Sequence, residues 1–261
     1  MFQGLRIGVT GMNSSQRTLD NVADQVANSD TNGYKKKEVR FQELLRNEIS
    51  ASHVQLSDAV GTPSIGAGSR PNFSKTNFSQ GIMKDSDSPF HMALEGSGFF
   101  GIVQPNGQLL LTRNGAFQRN ADGEVTDELG NALVVENFVP QEAWGDNAAI
   151  TISSDGLISS QGEDGNVINL GRITLFQPQN YDALYSMGEN RFLLPEGENI
   201  ATSEGGNMEG FGLLRHKMLE GSNVDIAGSF TEMILTQRAY QMNAKSVTTA
   251  DEMLEVINTI I

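Results

Sequence analysis

The C-terminal stretch Phe230–Ile261 reads FTEMILTQRAYQMNAKSVTTADEMLEVINTII and contains neither Gly nor Pro. Taking every third and fourth residue in turn gives a series in which seven of ten members are apolar: Phe230, Met233, Gln237, Tyr240, Ala244, Val247, Asp251, Leu254, Asn258 and Ile261. This alternating spacing is typical of the a and d positions of a coiled coil. Gly228 can interrupt the chain before this stretch, and Ser229 can cap the helix. The spacing therefore predicts a helix of about 30 residues, roughly 45 Å long. A helix of that length needs a partner helix to cover its apolar side.

The N-terminal stretch has a similar spacing and supplies that partner. Its apolar positions, with Ser15 between the third and fourth, are Leu5, Val9, Met12, Leu19, Val22 and Val26. Three glycines at positions 4, 8 and 11 each weaken a helix by about 1 kcal/mol relative to Ala, so this helix depends on packing. It is predicted to end near Asn28, where the turn-rich run Asn28–Gly33 begins.

Composition and charge exclude several classes of protein. The chain has 261 residues, no Cys and a formal net charge of −14. The lack of Cys excludes a disulfide framework and Cys-based metal sites, and the negative charge argues against nucleic-acid binding. The net charge is +1 for residues 1–50, −11 for residues 51–218 and −4 for residues 219–261. The two nearly balanced ends can therefore approach each other or their copies, while the acidic middle stays solvated.

Two further sequence features concern membranes and secretion. No apolar run is long enough to span a membrane, so we expect no membrane insertion. The first ten residues are broken by Gly and polar residues, so we expect no secretory leader there.

Between the predicted helices, from Phe90 onward, the pattern changes to short strands separated by turns. The turn dipeptides are Asn106-Gly107, Asn114-Gly115, Asp122-Gly123, Asp155-Gly156 and Asp164-Gly165, each suited to positive φ. The strand candidates are His91–Leu94, Phe99–Gln104, Leu109–Arg113, Phe117–Arg119, Ala132–Val135, Ile150–Ser153, Leu157–Ser160, Ile173–Gln177 and Phe192–Leu194. Their even spacing predicts an all-β sandwich or barrel.

The resulting organisation is mainly β with terminal helices, an α+β class. We predict a helical coiled-coil module from residues 1–46 and 213–261 and a central β domain at 90–194. An extended, irregular connector is predicted at 47–89, because residues 51–87 are rich in Ser, Gly, Asn and Thr, and a return connector at 195–212. The subunit is expected to be elongated.

Apparent chemical motifs do not form a coherent site. Gly96–Gly101 matches G-x-G-x-x-G, but a β-prone run follows where a dinucleotide site needs a helix, which favours a turn and strand start. The acidic residues between Asp122 and Glu128 lack calcium-loop spacing, and the three His residues are isolated. Lys35–Lys37 is interpreted as a solvated loop or helix start, since Glu38 and Glu43 follow, with a phosphate-binding role as the alternative. We therefore predict no catalytic residue, cofactor or metal site, and not an enzyme.

Three segments of the chain carry a resemblance to a known family. Asn21–Ala23 with Ala27–Lys35, and Leu219–Asp225 with Thr236–Lys245, resemble the N- and C-terminal signatures of the flagellar rod and hook proteins. Leu94–Phe100 and Thr112–Phe117 are similar to the β-domain core of that family. The chain departs from the pattern at Asp24-Gln25-Val26 and at Ala227-Gly228-Ser229. Within the family, its length, its single β domain, Gly66–Pro71 and Ser79–Gly81 most resemble the distal rod protein, with proximal rod and hook paralogues as alternatives.

The resemblance implies a structural function. Members of the family are exported through the flagellum's own secretion channel and polymerise helically into a hollow axial tube, with the terminal helices inside and the β domain outside. Implied partners are copies of the chain itself, neighbouring rod and hook proteins and the export apparatus, and the implied location is the basal body, in a rod that crosses the cell envelope. The expected assembly residues are Leu5, Met12, Leu19, Val22, Val26, Asn28, Thr31, Gly33, Tyr34, Phe230, Met233, Gln237, Arg238, Tyr240, Asn243, Ala244, Val247 and Leu254.

Two hypotheses from other classes stay open on the sequence alone. One is a secreted adhesive or carbohydrate-binding β protein with dimerising helices, and the other is a cofactor enzyme using the Gly96–Gly101 loop. If the rod interpretation holds, we expect both ends to be largely unfolded in the monomer and to order on assembly, because either helix alone exposes a long apolar face.

Overall fold

The computed structural model of the chain describes residues 2–44, 47–48, 64–65, 68–141, 144, 150–161, 166–195 and 197–260. The chain divides into two compact units. The helical unit comprises Met1–Ala27, Lys37–Thr76 and Asp225–Ile261, and the β unit comprises Asn28–Lys36 and Asn77–Val224. Strands dominate, with one long helix near each terminus, so the predicted α+β class is confirmed.

The two helices of the helical unit pack against each other. Helix α1 spans Phe2–Ala27 and helix α2 spans Ile226–Ile260. The predicted start of α2 near Gly228 and Ser229 is wrong by about one turn. Asp225 is the N-cap, because its side-chain Oδ1 accepts a hydrogen bond from Ala227 N at 3.1 Å and satisfies a donor that the helix itself leaves unpaired.

Short strands complete the helical unit. They are β1 Lys37–Glu43, β2 Asn47–Glu48, β3 Ser64–Ile65 and β4 Ser69–Thr76. β1 pairs antiparallel with β4, and β2 pairs with β3. The side-chain amides of Asn21 and Gln25 on α1 donate to the Lys37 carbonyl at 2.9 and 2.7 Å and hold the start of β1 against the helix.

The predicted irregular connector is therefore wrong where the structure describes it. β4 is a polar eight-residue strand that forms a ladder with β1. Backbone ladder bonds of this kind do not require an apolar core of their own, so hydrophobic periodicity does not reveal them. Most of the rest of that stretch, residues 49–63 and 66–67, lies outside the described residues.

The β unit contains the remaining strands and two short 3₁₀ turns at Tyr181–Ala183 and Glu204–Gly206. The strands are β5 Met83–Asp85, β6 Met92–Glu95, β7 Phe99–Val103, β8 Leu109–Thr112, β9 Gln118–Arg119, β10 Val125–Thr126, β11 Ala132–Leu133, β12 Val135–Asn137, β13 Ile150–Ile152, β14 Leu157–Gln161, β15 Val167–Ile173, β16 Leu175–Pro178, β17 Tyr185–Gly188, β18 Arg191–Leu193, β19 Ile200–Thr202, β20 Leu213–His216 and β21 Met218–Glu220. Every predicted strand in the β domain overlaps an observed one, although the predicted Ile173–Gln177 contains the break between β15 and β16.

Antiparallel pairing joins these strands into one large sheet and smaller ones. The nine-stranded sheet runs β17-β18-β8-β7-β11-β10-β9, with β16 pairing both β7 and β19. A four-stranded sheet runs β12-β15-β14-β13, and two further pairs are β20 with β6 and β21 with β5. The last pair brings the segment before α2 beside the segment that precedes the β-domain core.

The large sheet buries side chains on both faces at its centre. Because successive strand residues point to opposite faces, Phe100 and Ile102 of β7 join the larger apolar cluster, while Phe99 joins a second cluster. Phe99 packs edge-on against Phe78, with ring centroids 5.3 Å apart. Gly101 leaves room for the ring of Phe176, whose Cε2 would lie 2.1 Å from any Cβ at that position.

The glycine-rich motif is a turn followed by a strand, as predicted. Gly96 and Gly98 have φ of 111° and 124°, and Gly101 lies inside β7. Positive φ is also confirmed at three of the predicted hairpin glycines: Gly107, Gly123 and Gly156. The prediction of positive φ is wrong at Gly115. Glycine is needed at this position for lack of space, because a Cβ there would lie 1.5 Å from the Met92 carbonyl oxygen. Gly165 lies outside the described residues.

Within the part of the chain that the structure describes, neither helix has the length and hydrophobicity of a membrane-spanning segment.

One histidine in the β unit is sensitive to its surroundings. His91 Nδ1 lies 2.6 Å from the Ser86 hydroxyl oxygen, and the His91 carbonyl accepts from Lys217 N at 2.8 Å. Desolvation by burial lowers the pKa of His91 below its ordinary value, with the charge of Glu128 acting in the opposite direction. The folded β unit therefore favours the neutral ring.

We expect the β unit to lose stability as the pH falls below 6.5, the ordinary pKa of His91. Between the lowered pKa of His91 and its ordinary value, the folded state binds fewer protons than the unfolded state, so stability increases with pH there. His91→Gln removes this contribution. Urea unfolding at several pH values, followed by the fluorescence of the single, buried Trp144, should show a smaller pH dependence for the variant. Equal pH dependence of the two proteins would contradict the prediction.

Candidate functional site

The predicted N-terminal assembly residues lie on one side of α1. Val22 is buried, and the others are half-buried: Leu5, Met12, Leu19 and Val26. Two of the three weakening glycines allow a close approach to α2. A Cβ at Gly8 would lie 2.6 Å from Val247 Cγ2, and one at Gly11 would lie 2.7 Å from Asn243 Nδ2. The two glycines lower the helix propensity of α1, but they also allow its backbone to approach α2 closely.

The predicted residues of α2 divide into two groups. Five are half-buried within the helical unit: Met233, Asn243, Ala244, Val247 and Leu254. Four are exposed: Phe230, Gln237, Arg238 and Tyr240. The most buried residues of α2 are Ser229 and Ala250, which are not in the predicted series. The side of α2 that packs within the unit thus overlaps the predicted seam and is rotated from it by roughly 45° about the helix axis.

A second apolar strip runs along α2 on a side that faces solvent. We call it the outer face of α2 and define it by Phe230, Ile234, Arg238, Met242, Lys245 and Val256, which recur at helical spacing. Its four apolar members are between 49% and 67% exposed. A helix with apolar residues on two sides is typical of one covered from both sides.

The predicted turn residues lie in the β unit. Thr31 Oγ1 donates to Asn28 Oδ1 at 3.1 Å, and Tyr34 is buried. Gly33 has φ of 69°, and its N–H donates to the Glu220 carbonyl at 2.7 Å. A Cβ at Gly33 would lie 2.5 Å from Asn114 N, so only glycine fits the turn here.

Next to this turn lies a group of buried charges that sequence analysis missed. We call Lys35, Arg113 and Glu220 the ionic clamp. Lys35 Nζ lies 2.6 Å from Glu220 Oε1, and Arg113 Nη1 lies 3.4 Å from Glu220 Oε2. The interpretation of Lys35–Lys37 as a solvated loop is wrong for Lys35, whose side chain, like that of Glu220, is fully buried. The available signal was a glutamate directly after the apolar pair Met218-Leu219 in the segment that precedes α2.

The clamp contains two cations and one carboxylate. Desolvation lowers the pKa of Lys35, and the charge and hydrogen bond of Glu220 raise it in part. Two backbone carbonyls stabilise the surplus positive charge by accepting hydrogen bonds from the cations. Ser79 O accepts from Lys35 Nζ at 2.8 Å, and Gly96 O accepts from Arg113 Nη2 at 2.8 Å. The Arg113 guanidinium also lies 5.2 Å from the centroid of the Phe99 ring.

Asn223 extends the clamp to the chain on both sides of it. Its Oδ1 accepts from Lys36 N at 2.7 Å, and its Nδ2 donates to the carbonyls of Asn77 and Ser79 at 2.8 and 3.0 Å. Gly81 N donates to Glu220 Oε1 at 2.9 Å. The segments that follow α1, precede β5 and precede α2 are therefore tied at one point.

The described residues offer no group of three or more His, Asp or Glu side chains that could hold a metal ion. The arrangement of the clamp is structural, because Lys35 Nζ, both Nη atoms of Arg113 and both carboxylate oxygens of Glu220 are directed at protein partners. Arg113 Nε is buried without a hydrogen-bond partner among the described residues.

We expect Glu220→Gln to destabilise the β unit by about 3–5 kcal/mol, because it leaves two buried cations without a counter-charge. Glu95→Gln is the matched control: Glu95 pairs with Arg215 at 2.7 Å, but both side chains are about half exposed. Breaking such an exposed pair should cost less than about 1 kcal/mol. Urea unfolding followed by Trp144 fluorescence measures both. A similar loss in the two variants would contradict a buried clamp.

Lys35→Met should cost clearly less than Glu220→Gln, about 1–3 kcal/mol. Its removal leaves Arg113 and Glu220 as a one-to-one pair. The other groups keep partners, since Ser79 O retains Asn223 and Glu220 Oε1 retains Gly81 N. The same unfolding measurement ranks the two variants. A larger loss for Lys35→Met would show that the surplus positive charge does not govern the stability of the clamp.

Comparison with known proteins now identifies the family. Residues 93–160 match the family model "Flagellar hook protein FlgE/F/G D1 domain", and residues 215–260 match "Flagellar basal body rod FlgEFG protein C-terminal". The two matched regions contain Arg113 and Glu220 of the clamp, respectively.

Relatives named "Flagellar basal-body rod protein FlgG" align along the whole chain. The Buchnera aphidicola (subsp. Acyrthosiphon pisum) protein is 33% identical over 267 residues, covering 100% of both chains. The Caulobacter vibrioides protein is 33% identical over 265 residues and the Bacillus subtilis protein 32% over 264 residues, each covering 99% of both chains. These relatives do not favour an adhesive β protein or a cofactor enzyme, and the prediction that the chain is not an enzyme is confirmed by its relatives. The chain belongs to the flagellar rod and hook protein family and is a structural subunit of the basal-body rod.

Proposed function

We propose that the chain is a distal-type rod subunit that polymerises with its own copies into a hollow helical drive shaft, through which later subunits are exported. The observation that carries this proposal is the outer face of α2. Its exposed apolar side chains recur along a helix that already packs on another side. Covering such a strip removes apolar surface from water, and neighbouring subunits can supply the cover.

The domain organisation follows from this function. The terminal helices form a coiled-coil layer around the channel. They belong to the predicted polymerisation module, residues 1–46 and 213–261, of which residues 28–36 and 213–224 lie in the β unit. The β domain, residues 90–194, forms the outer layer of an elongated subunit. The predicted connectors, residues 47–89 and 195–212, contribute β4 to the helical unit and β19 to the β unit. Phe230, Arg238 and Tyr240, which are exposed in the single chain, face neighbouring subunits in this arrangement.

The partners and location also follow from the proposal. The rod crosses the cell envelope, and the chain meets neighbouring rod and hook-family proteins at the two ends of its own segment. It reaches that place through the flagellar export apparatus, without inserting into a membrane or binding nucleic acid. The proximal rod and hook paralogues remain the alternatives within the family.

We expect the terminal helices to gain protection on assembly. At low concentration, backbone amides of the two terminal helices, Phe2–Ala27 and Ile226–Ile260, should exchange hydrogen quickly, and those of the β domain, residues 90–178, slowly. At concentrations where electron microscopy shows tubes, both helices should exchange slowly, because neighbours cover their apolar sides.

Two results would count against this proposal. Strong protection of both termini in a chain shown to be monomeric would mean that the helices form before assembly, and folding coupled to assembly would be contradicted. Failure to form tubes or oligomers at any concentration, with a folded β domain, would contradict self-polymerisation by this chain alone.

A further inference from the structure

Three Asn-Gly dipeptides in the chain are chemically able to undergo the same spontaneous reaction. They are Asn32-Gly33, Asn106-Gly107 and Asn114-Gly115. In such a pair the backbone nitrogen of the glycine attacks the side-chain carbonyl carbon of the asparagine, since glycine has no side chain to obstruct the approach. The attack requires the peptide unit between the two residues to rotate. The three pairs are therefore equivalent in an unfolded chain, and the fold determines which of them can react.

The first pair is fixed by its surroundings in the β unit. Gly33 N donates to the Glu220 carbonyl at 2.7 Å, so the nitrogen that would attack is bound to a distant part of the chain. A Cβ at Gly33 would lie 2.5 Å from Asn114 N, which leaves no room for the peptide unit to rotate. The Asn32 carbonyl also accepts from Asn190 Nδ2 at 2.9 Å. Reaction at Asn32 therefore requires local unfolding.

The third pair is fixed in the same way. Gly115 is buried, and a Cβ there would lie 1.5 Å from the Met92 carbonyl oxygen. The Gly115 carbonyl accepts from Met92 N at 3.1 Å. The peptide unit between Asn114 and Gly115 cannot rotate unless the start of β6 is displaced, so this site also reacts only after local unfolding.

The second pair lies at the tip of the turn between β7 and β8. Asn106 and Gly107 are both exposed, and no described heavy atom lies within 4 Å of a Cβ built on Gly107. Gly107 N donates to the Gln104 carbonyl at 2.8 Å, which is a bond within the turn itself. Rotation of this peptide unit requires only fraying of the turn, and the packed strands on both sides can stay in place.

The same turn activates the side chain of Asn106. Gln108 N donates to Asn106 Oδ1 at 2.9 Å. When Gly107 N attacks Cγ, negative charge develops on Oδ1, and an N–H already directed at that oxygen stabilises it. Asn114 accepts a comparable bond from Ala116 N at 3.1 Å, but its peptide unit is wedged. Asn106 combines an activated side chain with a peptide unit that is free to rotate.

We propose that Asn106 is a site of spontaneous deamidation in the folded chain, with water as the co-reactant. A bond forms between Gly107 N and Asn106 Cγ, and the bond between Cγ and Nδ2 breaks. Nδ2 leaves as ammonia and takes the proton of Gly107 N, which gives a cyclic succinimide. Water then opens either carbonyl of the ring and produces aspartate or isoaspartate. The net change is one amide and one water to one carboxylic acid and one ammonia, without oxidation or reduction.

The modification changes the surface of the β unit and leaves its core intact. The new carboxylate makes the net charge of the chain one unit more negative than −14. Isoaspartate adds one methylene to the main chain of the turn. The ladder on either side of the turn is held by buried residues, since Ile102 of β7 faces Leu110 of β8 and both side chains are buried. Modified copies should therefore stay folded and accumulate with time.

Peptide mapping of the full chain by mass spectrometry tests the proposal. In folded protein kept at mildly alkaline pH, Asn106 should lose its amide at least about tenfold faster than Asn32 or Asn114, because the latter two must first open locally. In concentrated urea the three rates should converge. Equal rates in the folded chain would overturn the proposal. So would a rate at Asn106 that rises about tenfold or more on unfolding, since the turn would then protect the amide.

A glycine substitution separates ring closure from direct hydrolysis. In Gly107→Ala a methyl group hinders the attacking nitrogen, so amide loss at Asn106 should slow about tenfold, whereas direct attack of water on the amide would be unaffected. Gly188→Ala is the matched control, since Gly188 also has positive φ, 91°, and no described heavy atom within 4 Å of an added Cβ. It should leave the rate at Asn106 unchanged. An unchanged rate in Gly107→Ala, or formation of aspartate without any isoaspartate, would overturn the proposal.

Discussion

The carboxylate of Glu220 is the group on which the arrangement of the β unit depends. It accepts hydrogen bonds from Lys35, Arg113 and Gly81 N, which come from three separate parts of the chain. A buried ion pair contributes little net stability, since desolvation offsets most of the attraction. The ion pair instead disfavours other registers of β21 on β5, because any shift would leave two cations without a counter-charge in an apolar interior. We infer that the clamp selects one register rather than adding much to stability.

The helical unit is governed by a different constraint, the conflict between solubility and assembly. Helix α2 has one side that packs on α1 and another that remains apolar and exposed. The close approach permitted by Gly8 and Gly11 brings the two helices together without filling the space with side chains. Any apolar area added to the outer face would strengthen contacts between copies and would also promote uncontrolled association. The cations Arg238 and Lys245 moderate this, since they interrupt the strip with charge.

The regular parts of this architecture are predictable from the sequence, and the parts that depend on long-range pairing are not. The two helices and the strands with large apolar residues, such as β7, were predicted because their periodicity is local. The polar strand β4 was not, because its stabilisation comes from backbone bonds to β1. The predicted seam of α2 only partly overlaps the observed contact, since a helix with two apolar sides has no unique apolar face. Lys35 was assigned to solvent because its partner, Glu220, is distant in sequence, whereas the turn glycine Gly33 was recognisable from the run that contains it.

The distance along the chain between the partners of the clamp has a consequence for the order of folding. Lys35 and Glu220 are separated by 185 residues, so their contact closes a very long loop. Contacts of this kind raise the contact order of a domain and form late, after the local hairpins. A nascent chain on the ribosome that has not yet reached residue 220 carries two cations with no counter-charge to bury them. Local hairpins can form at that stage, but the β unit cannot close. Synthesis of residue 220, rather than the folding of the first strands, therefore determines when the β unit can close.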